Sequence, residues 1–173
     1  MLGNRLIQRI VLLLKNLFGM WPGTSADSIR LPQSSVRSSE SLCTFVFRND
    51  QIVRKTNTIH HSRLMPRRKN KKEDGRLETS VCRSQTLSDT QVWAICSAHF
   101  DIVAPAPAIG RGEGPASAVF DVDLGFDPDG MPYSQHANII GWYDSVDKPD
   151  YELKHFWMDK AQRMSPSFKY LPR

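Results

Sequence analysis

The sequence predicts an α+β fold, a small and mostly antiparallel sheet with two helices on one face, preceded by an amphipathic helix and a flexible linker. Three observations predict it. Short segments of alternating or continuous apolar residues read as strands, and two later segments open with helix-start signals. Their order is strand, strand, helix, strand, strand, helix, which lacks the regular alternation of a doubly wound parallel sheet. A chain of 173 residues suits one core and an extension, so three regions are expected: a helix over 1–21, a linker over 22–40 and one domain over 41–173.

In residues 2–21 the polar positions Asn4, Arg5, Gln8, Arg9, Lys15, Asn16 and Gly19 recur at helical spacing and leave Leu6, Ile10, Leu13, Leu14, Leu17, Phe18 and Trp21 opposite. The longest apolar run, 10–14, is interrupted by Lys15, far short of the roughly 20 residues that cross a bilayer and of the apolar core of about 7–15 residues in a secretory signal. No transmembrane span is expected. A basic amphipathic helix instead suits peripheral contact with a membrane surface, an organelle-targeting segment or docking on a protein surface. Pro22, Gly23, Pro32 and a run of serines then read as linker.

Within the domain, residues 42–47 alternate Leu42, Thr44 and Val46 with Cys43, Phe45 and Phe47, which suits a well-buried strand. Strands are also expected at 79–83, 118–124 and 137–143. Ser88 with Gln91 three residues on forms a capping box before Val92, so 89–100 is expected to be helical. Asp147 with Pro149 opens a second helix over 148–164, with Tyr151, Leu153, Phe156, Trp157 and Met164 as its apolar stripe and Pro166 beyond its end. Residues 105–117, rich in Gly and Pro, are expected to form a mobile loop or lid. Gly110, Gly112 and Gly114 resemble a phosphate cradle in spacing only, since no helix is expected after them.

Charge is split along the chain. Residues 1–72 hold 14 Lys and Arg against 3 Asp and Glu, and residues 73–173 hold 9 against 15. The densest cations are Arg63, Arg67, Arg68, Lys69, Lys71 and Lys72. Such a block is expected to contact nucleic acid or an acidic protein, or to fold back on the acidic half. It also suits a nuclear-import address in a eukaryotic host. No aromatic residue is interleaved in it, so the block itself offers no platform for stacking bases.

The primary expectation is therefore an interaction module with a basic contact segment. The alternative is a small enzyme acting on a nucleotide or nucleic-acid phosphate, with His60, His61, Arg83 and His136 as catalytic residues beside Arg63, provided that they converge in space. No cofactor or metal is expected. Cys96 and His99 form one close pair where zinc sites show two, and the acids from Asp121 to Asp129 lack the glycine and distal glutamate of a calcium loop. Three cysteines without framework spacing suit a reducing compartment, so the cytoplasm is expected, with a membrane surface or an organelle as alternatives.

Overall fold

The computed structural model describes residues 35–67, 76–144 and 150–173. The expected helix at 1–21, most of the linker, the cations Arg68, Lys69, Lys71 and Lys72, and the expected cap Asp147 lie outside them. One compact unit spans Pro32–Arg173.

Its centre is an eight-stranded sheet. In chain order the strands are β1 (Ser41–Val46), β2 (Ile52–Val53), β3 (Thr58–Ile59), β4 (Thr79–Arg83), β5 (Gly110–Pro115), β6 (Gly125–Asp127), β7 (His136–Ile140) and β8 (Lys169–Pro172). Their spatial order is β2-β3-β8-β5-β1-β4-β7-β6, with every neighbouring pair antiparallel. The helices are α1 (Asp89–His99), the single turn α2 (Ser117–Phe120) and α3 (Asp150–Met164). The α+β expectation and the antiparallel sheet therefore hold.

The two long helices are not on one face, however. Leu42 and Val46 share an apolar cluster with Leu153, Trp157, Ala161 and Met164 of α3. Cys43, Phe45 and Cys82 share another with Val92 and Cys96 of α1. Because alternate side chains of a strand point to opposite faces, α3 and α1 cover opposite sides of β1. Topology explains the correction. Strands β4 and β5 both run antiparallel to β1 between them, so β4-α1-β5 is a crossover between parallel strands. The connection β7-α3-β8 is another, moving the same way along the sheet from strands of the opposite direction. Two crossovers of one hand must then lie on opposite faces, and the right-handed rule for such connections supplies the common hand.

Local chemistry fixes each element. The Ser88 side chain accepts from Gln91 N–H and the Gln91 side chain accepts from Ser88 N–H, closing the expected capping box of α1. In α3 the buried stripe is Leu153, Trp157, Ala161 and Met164, spaced 4, 4 and 3 apart as a helix face requires. Tyr151 and Phe156, expected in that stripe, are exposed instead. Trp157 Nε1 donates to Tyr143 O at 2.7 Å, tying the helix to the chain that enters it. The expected linker contributes its end to the fold: Val36 is buried, and Glu40 grips Arg83 with Arg83 Nε at 2.5 Å and Nη2 at 3.1 Å.

Two segments differ from expectation. Residues 118–124 form α2 and a turn, with Asp123 at φ 56°, because Val119, Val122 and Leu124 all enter the α3-face core at spacings that a helical turn serves and a strand would split between two faces. The glycine-rich segment is strand β5. Gly110, Gly112 and Gly114 face the α3 side, where a Cβ would come within 2.3 Å of the Tyr170 ring, 2.3 Å of Ile59 Cγ2 and 2.7 Å of Ser167 O. The missing side chains let β3, β8 and the 165–168 turn close down on that strand. Accordingly, Gly114→Ala should lower unfolding free energy in urea by about 1–3 kcal/mol. Gly125→Ala, whose Cβ meets nothing closer than 3.9 Å, should stay within about 0.5 kcal/mol of the parent.

Candidate functional site

The sequence-derived site residues fall on both faces. His60 ends β3 and caps the turn His61–Arg63: its Nδ1 accepts from Ser62 N and lies 2.9 Å from Ser62 Oγ. The His60 and His61 rings are 4.0 Å apart. Burial first, and then the neighbouring His60, lowers the pKa of His61. The turn packs on α3, and Leu64, just after it, is buried in the α3-face core.

From this turn Arg63 reaches back to the central strand, where its Nη2 donates to Thr44 Oγ1 at 2.8 Å. Arg63 is half-buried, its Nε is buried without a partner, and neither it nor the exposed Arg67 meets a carboxylate among the described residues. Burial first, and then repulsion from Arg67, lowers its pKa to about 10, so the side chain stays cationic at neutral pH. Other buried or half-buried arginines are matched: Arg83 by Glu40, Arg111 by Asp89 at 2.5 Å and Glu113 at 3.0 Å.

His136 lies on the opposite side. It is the cross-strand partner of Cys82, which belongs to the α1-face cluster, whereas Arg83 pairs with Leu42 of the α3-face cluster. The proposed His60, His61, Arg83 and His136 constellation therefore does not converge: His136 is separated from the other three by the sheet, and Arg83 is gripped by Glu40.

What His136 has instead is a carboxylate. Its Nδ1 is 2.5 Å from Asp129 Oδ1, and Asp129 also accepts from Met131 N at 3.2 Å and Asn138 Nδ2 at 3.0 Å. Ser80 Oγ donates to Asn138 Oδ1 at 3.3 Å. Because an ionised carboxylate only accepts, the shared proton belongs to Nδ1. These groups and Glu78 line an open cleft of about 480 Å3. Strand periodicity places Ser80, His136 and Asn138 on one face, but the arrival of Asp129 depends on the 128–135 loop, which sequence spacing does not determine.

The α1-face cluster also holds the three thiols. Cys43, Cys82 and Cys96 are free and buried. A hydrogen bond with Cys82, then burial, raises the pKa of Cys43; burial, then Asp101, pushes Cys96 up to about 12. The Tyr133 hydroxyl is pushed far up, chiefly by burial, and its ring stands edge-on to His136 at 5.3 Å. Among the described residues no group of His, Cys, Asp and Glu could hold a metal ion, and no helix is long and apolar enough to cross a membrane. The chain matches no protein-family model, no curated protein and no solved structure.

Two outcomes follow. In 15N spectra of the folded protein His136 should show the Nδ1-protonated tautomer, and Asp129→Ala should shift it toward the Nε2-protonated form. At pH 8 iodoacetamide should leave all three cysteines unmodified until the protein is unfolded, because buried thiols are out of the reagent's reach.

Proposed function

We propose that the chain is an interaction module that contacts nucleic acid through the basic segment beginning at His60 and running through Arg63, Arg67, Arg68, Lys69, Lys71 and Lys72. The observation that carries this reading is the half-buried Arg63, which like the exposed Arg67 meets no carboxylate among the described residues, set against the matched arginines Arg83 and Arg111. A cation that has lost water and gained no counter-charge is a standing electrostatic deficit, which an external anion can offset. Phosphate contacts displace condensed counterions, and that release strengthens binding at low salt.

The enzyme alternative receives less support, because His136 lies across the sheet from His60, His61, Arg63 and Arg83, and Arg83 is held by Glu40. An acidic protein partner remains the competing occupant, separated by its salt response and by direct competition with oligonucleotide.

Replacing Arg67, Arg68, Lys69, Lys71 and Lys72 with glutamine should flatten the dependence of log affinity on log salt by about 0.9 per lost contact for a duplex and about 0.7 for a single strand. An unchanged slope in an anisotropy titration would reject the reading.

A further inference from the structure

We infer that the loop after α1 is a docking prong, and that the surface it enters is a lipid bilayer carrying anionic headgroups. The inference is separate from the nucleic-acid reading and does not rest on it. Ile102, Val103, Ala104, Pro105, Ala106 and Pro107 follow one another without a polar side chain. Ile102 is 73% exposed and Val103 78%, the two most exposed large hydrophobic side chains among the described residues. The base of the loop is fastened: Asp101 Oδ1 accepts from Ala108 N at 2.8 Å, and Asp101 Oδ2 accepts from Arg173 Nη1 at 2.8 Å. Its backbone also suits surroundings poor in hydrogen-bonding partners. Val103 N and Ala104 N both donate to Phe100 O, and Pro105 and Pro107 have no N–H to satisfy. An unpaired donor carried out of water is costly, and most of this loop enters an apolar layer without stranding one.

Topology gathers cations at the same end of the sheet. Strand β5 begins at Gly110 opposite Val46, the last residue of β1, and β8 ends at Pro172 opposite Gly110. Arg48 just beyond β1 and Arg173 just beyond β8 therefore lie at the end where the loop enters β5. The turn between β2 and β3 points the same way, since Thr58 pairs with Lys169 and Asn57 O accepts from Tyr170 N. That turn carries Arg54 and Lys55, both exposed. Arg48 is paired with Asp50 and Arg173 with Asp101, whereas Arg54 and Lys55 meet no carboxylate among the described residues. An apolar tip and unmatched cations at one end complement an anionic leaflet, which takes aliphatic side chains at its acyl boundary and attracts cations at its headgroups. An acidic protein or a nucleic acid would engage the cations and leave Ile102 and Val103 in water.

The test uses the full chain and vesicles of phosphatidylcholine, alone or mixed with phosphatidylserine. The parent should co-sediment with the mixed vesicles. Ile102→Ser with Val103→Ser should lower partitioning about tenfold or more, the scale of one aliphatic side chain left in water, at an unchanged melting temperature because both sites are exposed. Arg54→Gln with Lys55→Gln should weaken binding at low salt and matter less at high salt. Every variant keeps residues 1–21, so binding through that segment would survive the double serine replacement. The native cysteines are buried, so a polarity-sensitive dye can be placed on Val103→Cys. It should shift to the blue on adding mixed vesicles, and the same dye on Thr86→Cys, at the other end of the sheet beside Ser41, should not. Equal binding by the parent and the double serine variant overturns the inference, as does no binding to either vesicle or equal binding to both. A blue shift at position 103 that grows with protein concentration without vesicles assigns the loop to a second copy and overturns it as well.

Discussion

The strand β1 is apolar on both faces, and the rest of the structure depends on covering both. Leu42 and Val46 need one layer, Cys43 and Phe45 another. The chain meets this with two crossovers of one hand, and the opposed directions of β4 and β7 send α1 and α3 to opposite sides. A small sheet with helices on one face only would leave Phe45, Cys43 and Cys82 in water. At about 25 cal/mol per Å2 of apolar surface, even one exposed phenylalanine is a substantial loss against the marginal stability of a domain. The same partition separates the functional chemistry: the basic turn belongs to the α3 face and the His136 cleft to the α1 face.

Charge follows a related logic. Most ion pairs among the described residues join groups within the acidic half, Arg76 with Asp127, Arg111 with Asp89 and Arg173 with Asp101. Arg48 with Asp50 and Arg83 with Glu40 take two of the three acids of the first half. Arg63 and Arg67 meet no carboxylate among the described residues.

Periodicity and capping chemistry made several elements legible. The run at 42–47 reads as a buried strand because both alternating sets are apolar, and Ser88 with Gln91 marks the start of α1 to the residue. Residues 110–115 misled because glycine normally weakens strands, and its role here is steric: only contacts with Ile59, Tyr170 and Ser167, distant in sequence, show why side chains are excluded. Residues 118–124 misled because Phe120, Val122 and Leu124 support an alternating reading, and tertiary packing chose the turn that brings Val119, Val122 and Leu124 together. Strands β2, β3 and β6, of two or three residues, are too short to carry a period. For the site, residue type identified Arg63 and His136 as candidates. Their separation by the sheet, and the Asp129 partner of His136, required topology that no spacing along the chain contains.

The central claim is that the basic turn on the α3 face is where an anionic partner is met. Amide chemical-shift mapping of the full chain during titration with a short oligonucleotide tests it most directly. Shifts centred on Thr44 and residues 60–67, with residues 129–138 unmoved, are the predicted result. Shifts centred on Asp129, His136 and Asn138, with Arg63 and Arg67 silent, would contradict it.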